Sequence, residues 1–295
     1  MSALRSRRLL TGVCIVVFFA GVAIIGPHLA GNPTAFSRAE WQPPSAAHWL
    51  GTTQLGQDVL AQVVAGAGAT LEIGAGAGLL ATIISIVIGI GGGYAGGIAD
   101  EALSLLSNVV LVIPALPLII VIASFVHASG IWPTVAVIAF VSWAASARVL
   151  RAQTLSVRNR DYVLAAKAGG EPGWRIVAFE ILPNELPIIV SQFIFSMIFA
   201  ILTQAGLAFL GLASPDQLTW GTILYYAQND GAMSSGAWWW FVPPGLCIAV
   251  LGMGLALINF SLDEILNPRL RVYKPRKKRD QNSQSSSSER TVVTA

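Results

Sequence analysis

The sequence predicts an all-α integral membrane protein with six membrane-spanning helices, and three observations predict it. Hydrophobic residues make up 54% of the chain and charged residues only 11%, with a mean hydropathy of +0.66; a soluble domain carries roughly 25% charged residues. Apolar runs of about 20 residues, the length that crosses a bilayer core, recur along the chain. Basic residues gather beside alternate ends of those runs, as the positive-inside rule requires of a multi-pass protein.

The runs fall at 9–29, 71–96, 102–127, 131–150, 187–211 and 238–260. The first follows Arg5, Arg7 and Arg8 and resembles a signal peptide in charge, but it is long enough to span. Gly26-Pro27-His28 also lacks the small-residue cleavage pattern, so we read it as a retained helix behind a short N-terminal segment, 1–8. An outer loop, 30–70, follows. The second run has Gly and Ala at 74–78 and Gly again at 89, 91, 92 and 93. Small residues let helix backbones approach closely in lipid, which marks a packing helix.

Glu72 stands at the outer start of this run and has two readings: a boundary residue that snorkels to the headgroups, or a residue lining a hydrophilic translocation path. The third run carries Pro114 and Pro117, which predict a kink. The fourth leads into a charged, Gly/Pro-broken segment at 151–186, and the fifth emerges from it. A loop at 212–237, with Trp220, Tyr225 and Tyr226, precedes the sixth run and its Trp238-Trp239-Trp240 start. Such aromatics read as an interfacial belt anchoring the sixth helix, or as a surface for a partner. The end of the chain, 261–295, turns basic and then Ser-rich, and is expected to be disordered after about residue 273.

With the N-terminus inside, Arg5, Arg7 and Arg8, the six basic residues from Arg148 to Arg175, and everything basic from Arg269 onward share one side, leaving Arg38 outside. Both termini and the 151–186 segment are then cytoplasmic, in a plasma or inner membrane. The basic tail suits anionic lipid headgroups, and no folded basic surface accompanies it that would suit nucleic acid.

Several chemistries are missing. There is no GxxxxGK[ST] phosphate loop and no GxSxG nucleophile turn. His28, His48 and His127 make neither HExxH nor a ligand cluster, and Cys14 and Cys247 sit alone in apolar runs as small hydrophobes. We therefore expect no catalytic, cofactor or metal site and no enzymatic activity in this chain.

The segment DYVLAAKAGGEPGWRIVAFEILPN, 161–184, breaks the apolar pattern. Asp161 puts a carboxylate at a helix N-terminal end, and Gly169-Gly170 offers a stop, which predicts a short helix with a slim, small-residue surface. A second helix is expected to start at Pro172 and end before Pro183. Trp174, Val177, Ala178 and Ile181 would form its buried face, and Glu171 would pair with Arg175. Trp174, Ile181, Leu182 and Pro183 are thus expected to brace the segment. A solvated connector and a docking element both satisfy this pattern.

DYVLAAKAGG with the following ILPN resembles the EAA loop of ABC importer permeases, in the version of the dipeptide/oligopeptide (peptide/nickel) group. LGTTQLGQDVLAQ (50–62), IPALPLII (113–120), LAFLGLASPDQLTWG (207–221) and NPRLR (267–271) are similar, in the same order, to segments of that group. The chain departs from the group's usual residues at Thr53, Gln57, Gln62, Gly68, Glu72 and Glu171. The resemblance implies a type I ABC importer permease fold with a cytoplasmic coupling helix. In such a helix Asp161, Tyr162, Ala165, Ala166, Lys167, Gly169 and Gly170 would dock on an ATPase subunit. It also implies the partners: a sister permease as a heterodimer, two ATPase subunits that bind the ATP and Mg, and an external substrate-binding protein. The implied cargo is a di- or oligopeptide, with nickel complexes or oligosaccharides as alternatives within the group. An autonomous channel or carrier, the rival class, would call for intramembrane charges or an inverted repeat.

Overall fold

The computed structural model describes residues 2–125, 130–214 and 216–266. All its regular elements are helical. The first helix, α1, runs Ser2–Leu29. The second, α2 (Val59–Ser85), continues through a π segment, Ile86–Ile90, into α3 (Gly91–Ala95). Then come α4 (Gly97–Val112), α5 (Ala115–Phe125) and α6 (Ile131–Val157). The short α7 (Asp161–Ala168) and α8 (Gly173–Ile176) precede a second π segment, Val177–Ile181, and α9 (Leu182–Phe209). The chain closes with α10 (Trp220–Asn229) and α11 (Trp238–Leu266). Five helices are long and apolar enough to cross a membrane, or six if the bent pair α4–α5 is one span.

The second span starts well ahead of the apolar run at 71, because polar residues there are satisfied inside the fold. Asp58 caps α2, accepting from Ala61 N at 3.0 Å and meeting His48 Nδ1 at 2.7 Å, so the helix begins where its free N–H groups find an acceptor. Thr70 Oγ donates back to Gly66 O at 2.8 Å. Residues 59–70 therefore belong to α2 and not to the outer loop.

The third apolar run is two helices meeting at 89°, a break rather than a kink. Ile113 is extended (ψ 127°), as the residue before a proline tends to be, and α5 restarts after Pro114. The expected end of this run at residue 127, with His127, lies outside the described residues. So do NPRLR and the tail from 267.

Around α2 the spans pack as the glycines allow. It lies between α6 and α9, and α1 packs on α11. A methyl group added at Gly78 would stand 3.0 Å from the backbone nitrogen of Met197 in α9, and one at Gly89 would stand 2.5 Å from the carbonyl oxygen of Ala147 in α6. Both contacts are with backbone, which cannot step aside.

At the two ends of α9 the loops differ from their sequence reading. Residues 151–157 complete α6, and the second cytoplasmic helix does not stop at Pro183 but runs on as one 37-residue span, Gly173–Phe209. The π segment just ahead of Pro183 widens the turn where a proline ring would otherwise strike the carbonyl four residues back. Asn184 Nδ2 donates to the Glu180 carbonyl at 2.6 Å, a further bond across this turn.

Beyond α9 the loop at 212–237 holds α10. Trp220 is fully buried, donating from Nε1 to Val63 O at 2.8 Å and meeting Phe19 edge-on at 5.3 Å, and Trp240 is buried too. These two are core residues, not an interfacial belt; Trp238 remains exposed.

Candidate functional site

The candidate site is the connection from α6 to α9. Its root is rigid. Arg151 grips Asp100 of α4 with two bonds, 2.5 and 2.9 Å, and Arg158 Nη1 donates to Gly93 O of α3 at 2.8 Å. Thr154 Oγ donates to Leu150 O at 2.9 Å and lies 2.9 and 3.1 Å from the carboxyl oxygens of Glu185. Glu185 is fully buried, so this contact ties the last turns of α6 to the first turn of α9.

From that root α7 projects. Val163 is its one fully buried side chain and packs with Leu150, Val157, Ile176 and Ile181. Ala166 packs against the same cluster. Asp161, Tyr162, Leu164, Ala165, Lys167, Ala168, Gly169 and Gly170 are exposed. Asp161 is the first helical residue, where a carboxylate faces unpaired N–H groups, while Arg160 takes the cap position without a side-chain bond.

The C-terminal stop is a Schellman turn: Glu171 N donates to Ala166 O at 3.2 Å and Gly170 N to Lys167 O at 3.1 Å. Gly170 has φ +79°, a conformation that glycine adopts without the steric cost of a Cβ. Lys167 Nζ lies 5.0 Å from the centroid of the Tyr94 ring, a cation–π contact that ties this side of α7 to the end of α3.

The brace forms with a different face from the expected one. Ile181 is fully buried, but Trp174 is 70% exposed and Ile176 takes the inward position. The cause is the π segment between Ile176 and Ile181: its i→i+5 bonds widen the turn and break the α-helical repeat, so Ile176 falls in line with Ile181 and Trp174 swings outward. Leu182 is half-buried and Pro183 exposed at the start of α9. Glu171 and Arg175 do pair, at 3.0 Å. Sequence reasoning placed Leu164 on this helix without singling it out, and it missed Glu185. Glu185 was hidden because it lies within the charged 151–186 stretch, although an acid directly before Leu186-Pro187 and an apolar run was a usable signal.

Glu72 lies far from this connection. It is exposed within α2, on the same stripe as Leu79, Ile83 and Val87, and makes no ion pair among the described residues. It is well inside the helix, not at its start.

The arrangement offers one small, convex helix on a stiff root that leads directly into two spans, so a force applied to α7 reaches α6 and α9 together. Residues 81–272 match the family described as the binding-protein-dependent transport system inner membrane component. The chain belongs to that family. It is similar to the dipeptide transport system permease protein DppC of Bacillus subtilis, 30% identical over 90% of this chain and 83% of the relative. It is also similar to the oligopeptide transport system permease protein OppC of the same organism, 30% identical over 92% and 89%. A putative peptide permease protein of Brucella suis is 34% identical over 77% and 74%. The chain is thus a multi-pass inner-membrane permease with the type I ABC importer fold, and membership implies substrate-binding and ATPase partners in general.

Proposed function

We propose that the chain is one of two related permease subunits of an ATP-driven peptide importer, with α7 as the helix that receives motion from an ATPase subunit. The observation that carries this reading is the exposure of α7. Capped at its C-terminal end and rooted, α7 exposes Tyr162, Leu164, Ala165 and Ala168 between the charged Asp161 and Lys167 and buries only Val163 completely, and exposed apolar surface of that kind is the mark of a protein contact. Peptide cargo is supported by relatives named for dipeptide and oligopeptide transport.

In this reading Asp161, Tyr162, Ala165, Ala166, Lys167, Gly169 and Gly170 form the docking element, joined by Leu164 and Trp174. ATP and Mg are held by two partner ATPases, and a sister permease completes the path as a heterodimer. The positive-inside asymmetry supports cytoplasmic termini. Closure of the ATPases would draw the coupling helices together and rock the spans between inward-open and outward-open states. Glu72, the one acid on an otherwise aliphatic exposed stripe of α2, lines the path in this account.

The test is uptake of labelled peptide into vesicles holding the assembled transporter. Gly170→Arg and Ala165→Glu should insert normally, abolish uptake and loosen ATPase attachment. Full uptake by both variants contradicts the docking role.

A further inference from the structure

A polar cleft of about 270 Å³ lies between α4 and α6, lined by Ser104, Ser107, Asn108, Arg148 and Arg151. Its charges do not cancel. Arg151 is matched by Asp100 through the two bonds described above. Arg148, by contrast, donates from Nη2 to the neutral amide oxygen of Asn108 at 2.6 Å, and no carboxylate reaches it among the described residues. One formal positive charge is therefore left over.

The remaining groups are donors. Asn108 has its oxygen engaged by Arg148, so its amide N–H groups are what it offers; Ser104 brings a hydroxyl; Ser107 already donates to Leu103 O at 2.9 Å. A guanidinium beside an amide donor and a hydroxyl, with its neighbouring acid already spent, is a set that holds an oxyanion rather than a cation.

Position narrows the anion. Trp132 is exposed at the opposite end of α6, where an aromatic residue marks an interface. At 1.5 Å per residue, Arg148 lies ~24 Å further along the helix, close to the far boundary of a hydrocarbon core about 30 Å thick. Leu105 and Val109 of α4 and Val149 of α6 flank the lining residues and are exposed. A charged cleft on helices that also expose aliphatic side chains at headgroup depth has the two-part chemistry of a phospholipid. Basic pockets between membrane helices bind anionic headgroups in this way.

We propose that this cleft binds the phosphate of an anionic phospholipid headgroup, with Arg148 as its anchor and α4 and α6 as its walls. The inference needs only a chain placed in a bilayer and is independent of cargo and of ATPase docking. The headgroup would bridge α4, which opens the broken third span, to the span that carries α7.

The assembled transporter tests it in nanodiscs of phosphatidylcholine with and without phosphatidylglycerol, read by native mass spectrometry of retained lipid and by Tm. The wild type should retain phosphatidylglycerol and gain Tm from it. Arg148→Gln removes the anchor, and losing a charge-assisted bond should weaken retention by about tenfold or more. Asn108→Asp keeps the side chain's size but gives Arg148 an internal carboxylate, and should weaken retention equally without lowering Tm in pure phosphatidylcholine; it decides the matter if Arg148→Gln fails to assemble. Undiminished phosphatidylglycerol retention in Asn108→Asp overturns the proposal. So does reproduction of the Tm gain by inorganic phosphate in phosphatidylcholine, which would make the cleft a site for a free anion.

Discussion

Two short helices flank the span α9, and they are opposites. At one end, α10 is sealed into the protein: Trp220, Thr222, Ile223 and Ala227 are buried, and Trp220 bonds to Val63 O and, through its backbone N–H, to Thr70 Oγ at 3.1 Å. Its start carries a full capping box between Thr219 and Thr222, and Gln204 Nε2 of α9 donates to Thr219 Oγ at 2.8 Å. At the other end, α7 is finished just as carefully by its Schellman turn, yet it buries one side chain completely. Helices this short are marginal alone. One has its tertiary partner within the chain; the other is held ready in shape with most of its surface uncovered, as a contact for another subunit requires.

Breaking α10 should therefore cost stability, and altering the surface of α7 should cost function. The largest stability effect is expected for Trp220→Ala, about 3–5 kcal/mol, as for other large-to-small changes in a core, seen as a lower Tm and poor accumulation. Gly221→Leu should follow at about 1–3 kcal/mol, because a side chain there would meet the α9 backbone 2.8 Å away at Ala205 Cα. Thr219→Val removes the cap, for about 1 kcal/mol, and leaves the buried Gln204 amide without its partner, for about 1 kcal/mol more. On the exposed helix, Ala165→Glu should move stability by no more than about 0.5 kcal/mol while uptake is lost, a split that denaturation and transport assays on one preparation would reveal. The smallest effect is Glu171→Gln, a few tenths of a kcal/mol through the pair with Arg175, vanishing in high salt because both side chains are exposed.

The sequence made the helical membrane class and the position of the short helix α7 legible, since both rest on local signals: long apolar runs, a Gly-Gly stop, small residues at packing positions. It misled where distant contacts decide. Trp220 looks like an interfacial aromatic until Val63 and Phe19 close around it. Trp174 follows the α-helical repeat with Ile181, but a π turn lies between them and puts Ile176 inward instead. Polar Gln62 and Thr70 hide the first turns of α2, although Asp58 ahead of Val59 was a readable cap. Pro114 announced a disturbance without its size, because the 89° turn depends on how α4 and α5 each pack on α6. Arg148 read simply as one of the inside charges; that its neighbour is Asn108 and not an acid is a fact of tertiary structure.

The central claim, that α7 is the contact through which an ATPase subunit acts, is tested most directly by site-specific photocrosslinking in the working transporter. A photoreactive residue at Ala165 in α7 should crosslink to the ATPase subunit, and one at Tyr226 in α10 should not. A transport-competent assembly in which Ala165 gives no ATPase crosslink, or in which Tyr226 gives one, would contradict the account.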